Sequence, residues 1–306
     1  MAGPSFFQRR PGWMRGATAL TTRWLESTLE VARWENMRRA GRRWGWWGAG
    51  VGALLGLIIY APAPWLAQGV VELTGGKLLL ADSKGTIWHG DAVAVLTGGP
   101  GSRDARALPG RLSWSMRLTF KGLRLVLQQD CCMPQPVLLQ VQPGWGSVRV
   151  GVALQSAAGQ PDQRGGQLGQ WPAAWLGGLG TPWNTLQLGG ALRVASQELG
   201  FEWVQGRLRV QGQAEVTLDN VSSRITTLER LGSYRLDVLS DPSGQVRMNL
   251  ITLDGALLLS GSGDVTASGV RFRGEARASD NERGALDNLL NIIGRREGDR
   301  SVISIG

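Results

Sequence analysis

Histidine occurs once in the 306 residues, at His89, and cysteine twice, as the neighbours Cys131 and Cys132. One imidazole, no acid pair in an apolar setting and no Ser-His-Asp constellation leave little for acid–base or nucleophilic work. An enzyme is therefore not expected. Two thiols and one histidine fall short of a zinc ligand set. The Asp and Glu residues fall singly along alternating segments, which is solubility rather than a calcium cluster; no metal is expected. Gly98-Gly99-Pro100-Gly101 reads as a turn, because no Lys-Ser/Thr and no helical pattern follow it. No cofactor is implied. Adjacent cysteines close a strained ring. In an oxidising compartment, free thiols, a vicinal bridge and an intermolecular bridge all stay open.

Nucleic-acid motifs are also missing. The net charge of +9 would suit a polyanion, but its distribution does not. Residues 1–43 hold nine basic and three acidic side chains, and the remaining 263 hold 24 and 21. Two thirds of the excess sits in the first 43 residues, and no helix-turn-helix, zinc-finger or aromatic RNP pattern accompanies it. No nucleic-acid partner is expected.

What the chain does have is a run without formal charge, residues 44–71. About 20 apolar residues span a bilayer core, so these 28 suffice with some tilt. Arg38, Arg39, Arg42 and Arg43 precede it, and arginine-rich flanks stay in the cytoplasm. Trp44, Trp46, Trp47, Tyr60 and Trp65 bracket the run as interfacial aromatics do. The expected layout is a cytoplasmic basic region (1–43), one transmembrane helix (44–71) and a periplasmic domain (72–306) anchored to the inner membrane. Within the basic region, Leu20, Trp24, Val31 and Trp34 share one helical face, which suits a helix lying on the membrane surface.

After the run the texture changes to short apolar/polar alternations between glycines. In residues 207–219, Leu208, Val210, Ala214, Val216 and Leu218 face one way and Arg207, Arg209, Gln211, Gln213 and Glu215 the other. Residues 111–121 and 269–279 repeat the pattern. A period of two means half-buried strands with one wet face, and such strands belong to antiparallel sheets. Further strands are expected at 77–82, 86–97, 123–129, 137–141, 146–155, 186–195, 200–206, 234–239, 245–253, 255–262 and 301–305. Two helices interrupt, a Trp-rich one at 172–179 and one at 282–293 with the stripe Leu286, Leu289, Leu290 and Ile293. The glycine-rich residues 157–170 read as a linker between halves 72–157 and 171–306. The halves share an order: Gly-Gly, strand, polar turn, strand with Trp, glycine, strand. The fold class is mainly β: one N-terminal transmembrane helix, then an antiparallel β-sheet domain of two similar halves with a short C-terminal helix.

One stretch carries a family resemblance. Residues 79–92, LLADSKGTIWHGDA, contain Gly85, Thr86, Trp88 and Gly90 in the order Gly-Thr-x-Trp-x-Gly, and Pro109-Gly110-Arg111-Leu112-Ser113-Trp114 follows. This resembles the opening periplasmic motif of the type II secretion system protein N family (the general secretion pathway N subunit), with Trp114 at its next landmark. Residues 286–294 resemble that family's closing helix. The 43-residue Arg/Trp extension departs from the family pattern. The resemblance implies a non-catalytic, inner-membrane-anchored part of the type II machine, tethering periplasmic and outer-membrane components for export of folded proteins. Its partners would be other secretion subunits, the inner-membrane platform and the secretin among them. Looser forms of the motif occur in AsmA-like envelope proteins, and the alternative is a lipid carrier with an apolar β-groove. For the motif residues, a structural role and a partner contact both stay open.

Overall fold

The computed structural model describes residues 44–156, 161–162, 165–205, 207–241, 244–266 and 269–306. Arg38, Arg39, Arg42, Arg43 and the expected surface helix lie outside them. The chain divides into two compact units, Met1–Tyr60 and Ala61–Gly306.

In the first unit the described residues form one helix, α1, over residues 44–59. Its tryptophans and aliphatic residues are almost all exposed. Among the described residues no helix is long and apolar enough to cross a membrane. The single helix expected over 44–71 is instead two, α1 and α2 (Ala63–Leu73). The break has a local cause. Pro62 is extended (φ −71°, ψ 147°) and lacks the N–H that would continue the helix. The Ala61 carbonyl accepts the Ile87 N–H at 2.9 Å, and Pro62 bridges to Thr86. Ala63 is fully buried. Residues 61–71 therefore belong to the body, and the body begins at Ala61 rather than at residue 72.

Among the described residues the second unit is one antiparallel sheet of 17 strands. Its first part holds β1 (Leu78–Gly85), β2 (His89–Thr97), β3 (Ala105–Ala107), β4 (Leu112–Thr119), β5 (Gly122–Gln128), β6 (Val137–Gly144), β7 (Ser147–Gln155), β8 (Pro161–Asp162) and β9 (Gly166–Pro172). Its second part holds β10 (Leu188–Val204), β11 (Arg207–Ser223), β12 (Gly232–Ser240), β13 (Val246–Gly255), β14 (Leu257–Thr266), β15 (Gly269–Ala278), β16 (Arg295–Glu297) and β17 (Arg300–Ile305). Most neighbours in the sheet are neighbours in sequence, as a meander requires. The parts join at β10, which pairs with β9 over Ala191–Ser196 and with β7 over Gly200–Val204. Of the expected linker, residues 157–160 and 163–164 lie outside the described residues, and the rest includes strands β8 and β9.

One face of the sheet is apolar, and helices cover it in two places. Near β1, α2 closes over Ala92, Trp114, Leu80, Met116 and Leu127 with Ala63 and Leu66. Between the two parts lies the four-residue α3 (Trp183–Leu186), and at the other end α4 (Arg283–Ile293) sets Leu286, Leu289 and Leu290, each at most 1% exposed, against Leu231, Tyr234, Leu257 and Ala276. That helix lies within the expected bounds and buries the expected stripe. The Tyr234 hydroxyl donates to the Leu257 carbonyl at 3.0 Å, and burial pushes its phenol up.

The likeness between the halves has a structural counterpart. What reads as a polar turn in each is a bulge. Asp82 and Ser83 oppose Ala92 alone, and Glu198 and Leu199 oppose Gly212 alone. Asp82 (φ 48°) and Glu198 (φ 49°) both take the left-handed conformation there. The hairpins then differ. After Gly85 the chain turns at once, whereas after Gly200 the strand continues to Val204, so the strands expected at 186–195 and 200–206 are one.

Candidate functional site

The motif residues gather where the chain enters the body. Gly85 ends β1 with φ +90°, a conformation that side chains resist. The Thr86 N–H donates to the His89 carbonyl at 2.8 Å, and Thr86 Oγ1 accepts the His89 N–H at 3.2 Å. These bonds close the turn before β2. Gly90 lies opposite Trp114 in the β2–β4 pair. A Cβ on Gly90 would lie 2.5 Å from Trp114 Cζ2.

The two tryptophans divide their roles. Trp114 is 4% exposed, and its Nε1–H donates to the Thr86 carbonyl at 3.3 Å. It therefore locks the first hairpin and occupies the space that Gly90 leaves. Trp88 is half-buried in the turn, where its carbonyl accepts the Met116 N–H at 2.6 Å. His89 is exposed. The structure thus brings Gly85, Thr86, Gly90 and Trp114 into one contact, with Trp88 at its margin.

The alternation sets Arg111 on a wet face but gives no notice of its ion pairs. Its guanidinium bridges the bulge to the next strand. It pairs with Asp91 through Nε and with Asp82 at 2.7 Å, and it donates to the Asp82 carbonyl at 2.6 Å. Lys84 stands 3.3 Å from Asp82. The Arg111 hydrogen bond, helped by Lys84, holds the Asp82 carboxyl below the usual carboxylate range. A fixed positive partner beside a left-handed residue keeps the bulge in one geometry.

Nearby, Cys131 and Cys132 are bridged to each other. Their turn ties the first part of the sheet to β9. Cys132 accepts the Gln170 N–H at 2.7 Å. The buried Gln129 donates to the Pro109 carbonyl at 2.8 Å and accepts Trp171 Nε1–H at 2.9 Å.

On the polar face, a cleft of about 220 Å³ is lined by Gln167, Arg193, Ala195, Glu215, Thr217, Arg235 and Leu253. Arg193 pairs there with Asp219 at 2.5 Å, an exposed ion pair of the kind that ties neighbouring strands. Among the described residues no group of three or more His, Cys, Asp or Glu converges on a metal position. The arrangement offers surfaces and edges. Among the described residues β1 pairs with β2 alone, and the bulge interrupts it. At the far edge β16 pairs with Arg300–Val302 and leaves Ile303–Ile305 without a described outer partner.

A family model described as Type II secretion system (T2SS), protein N, matches residues 76–303. The match opens one residue after Gly75 and ends inside β17, so it takes in the motif turn, Arg111, both bulges and α4. No curated protein and no solved structure matches the chain.

Proposed function

The chain belongs to the type II secretion system protein N family, and from that membership we propose that it serves the secretion machine as a non-catalytic tether. The observation that carries the reading is the family match over nearly the whole β-body. The build of that body agrees with it: an open sheet with a polar face and a locked motif turn, and one exposed histidine. The tether is held at the inner membrane by the segment before Ala61, with its N-terminal side in the cytoplasm. The described part, α1, is about 24 Å long at 1.5 Å per residue. Its apolar side chains are exposed on nearly every side, as lipid contact requires. The arginines at 38, 39, 42 and 43 precede it. The β-body then stands in the periplasm and presents its polar face and the edge at Ile303–Ile305 to the inner-membrane platform or the secretin. Deletion of the chain is expected to lower the amount of exoprotein in the medium and leave folded cargo in the periplasm. Unchanged export together with unchanged machine assembly would refute the proposal.

One observation favours a second reading, lipid handling of the AsmA-like kind. Leu208 and Val270 are 45% and 44% exposed, and Val210, Val216 and Phe272 are half-buried, so these residues do not seal into a core. Phospholipid recovered stoichiometrically with the detergent-free protein would support this reading over the tether.

A further inference from the structure

Three hairpin turns stand side by side on one rim of the sheet. They are the β4–β5 turn with Phe120, the β6–β7 turn with Trp145, and the β10–β11 turn that follows Trp203. The Gln205 N–H donates to the Gly146 carbonyl at 3.3 Å, which holds the second and third together. Gly122 fits against the second so closely that a Cβ there would lie 3.0 Å from Pro143 Cδ. Phe120 and Trp145 are 112% and 105% exposed, as bare as these side chains become. Behind them the apolar face runs to the rim through Leu118, Val148, Trp203 and Leu208, all exposed. The last three share a row, because Val148 pairs with Trp203 and Trp203 with Leu208. Arg117, Arg207 and Arg209 alternate onto the opposite face and are exposed, as is Lys121 in its turn. The carboxylate of Glu202 is engaged by Arg149 at 2.6 Å, and Asp241, in the next turn along, faces Arg247 at 3.8 Å.

The chain enters the body at this same rim. Ala61 and Pro62 are bonded to Ile87 and Thr86 in the β1–β2 turn. That turn pairs with β4 at Ser115 and Met116, and β4 runs three residues further to its tip, about 10 Å at ~3.4 Å per residue. Tyr60, the end of the apolar segment, is covalently next to Ala61. Single exposed apolar residues need no explanation, but a contiguous patch with a basic margin does. Aromatic rings with arginine and lysine beside them suit the headgroup level of a bilayer.

We infer that this rim rests on the periplasmic leaflet of the membrane that holds the chain. Phe120 and Trp145 enter the interface, and Arg117, Lys121, Arg207 and Arg209 meet anionic headgroups. The inference rests on the anchored reading above. β11 runs away from this rim, so the loop that joins β11 to β12 lies at the distal end of the sheet.

The test uses the full chain in vesicles with and without phosphatidylglycerol. An environment-sensitive fluorophore is placed at Phe120→Cys, Trp145→Cys or, on the distal loop, the exposed Thr227→Cys. The native cysteines are bridged to each other and leave the new thiol as the target. A quencher carried on the lipid headgroup is expected to act severalfold more strongly at 120 and 145 than at 227. Arg207→Glu with Arg209→Glu is expected to reduce that difference only where phosphatidylglycerol is present. Equal quenching at all three positions, in a chain that resists alkaline extraction, overturns the inference and leaves the anchor standing. Protection of 120 and 145 from both the lipid quencher and aqueous iodide also overturns it, because a protein then covers the rim. A chain released by alkaline carbonate overturns both.

Discussion

At position 90 a side chain has nowhere to go. The Trp114 ring covers the site, and the Lys84 carbonyl closes it from the neighbouring strand. Gly90→Ala is expected to cost about 1–3 kcal/mol by overpacking. Trp114→Ala is expected to cost about 3–5 kcal/mol, because the ring is the largest group of its core. The two share one space, so in the Trp114→Ala background part of the Gly90→Ala cost disappears. Urea unfolding of the four proteins measures this, and strict additivity would contradict the ring-over-glycine contact. Asp82 gives a second residue-scale expectation. Arg111 holds its native carboxyl below the unfolded value, so the unfolded chain binds the proton first as pH falls. The contribution is complete above the ordinary carboxylate value of about 4 and is lost as pH drops through the lowered native value. The Tm difference between wild type and Asp82→Asn is therefore expected to be largest at neutral pH and to close in acid. It is small throughout, since the pair is exposed to solvent. A difference that widens in acid has the wrong sign for this account. The residue-scale site was only half legible. Gly85, Thr86 and Gly90 lie in a recognisable order, but which tryptophan fills the space depends on a pairing 24 residues away, between Gly90 and Trp114.

Elements were legible wherever one period ran for several turns of the pattern. β4, β11 and β15 follow the alternation of Leu112–Met116, Leu208–Leu218 and Val270–Ala278 because each has one wet face. β3 and β16 have three residues each and β8 two, too few to carry a period. β9 reads as a linker because Gly166 and Gly169 weaken its pattern, and its place is secured from outside by β10, Cys132 and Gln129. The bulges were misread as turns for a related reason. Polar residues with a glycine two or three places on suit either, and only the partner strand decides. The bulge in β10 has its own consequence. Glu198 holds a left-handed conformation that costs a residue with a Cβ roughly 1–2 kcal/mol. Glu198→Gly is expected to stabilise the protein by up to about 1 kcal/mol after the glycine entropy term, and so to raise the Tm. If residues 198 and 199 were instead regular strand, the same change would lower it. At the other end of the sheet, Leu289→Ala removes a side chain that is 1% exposed and is expected to cost about 2–5 kcal/mol in thermal or urea unfolding.

At the scale of the molecule, the sheet class follows from the alternation, but the boundary between the proposed anchor and the body does not. An apolar run suited to a bilayer and one that covers a sheet look alike in hydropathy, and here α1 and α2 are adjacent without a charge between them. Pro62 was the available signal, because proline halts a helix that would otherwise run on. Its position is now decisive for any dissection of the chain. A body started at Ala61 keeps Ala63 and Leu66 over Ala92 and Trp114. A body started at residue 72 loses α2, so Trp114, Leu80 and Leu127 face water on that side. The first fragment is expected to melt cooperatively and to resist protease. The second is expected to lose at least the β1–β2–β4 corner, with early cleavage near the Gly85–Gly90 turn, while the α4-covered part persists because its core is separate. Under the proposed tether the same boundary bears on export. An unrelated single-span anchor joined at Tyr60/Ala61 should restore exoprotein release in a deletion strain, since a tether needs only to be held at the membrane. Joined at residue 72 it should not, whatever its level of insertion. Release restored by the second chimaera as well as by the first would mean that α2 is part of the span and not of the body.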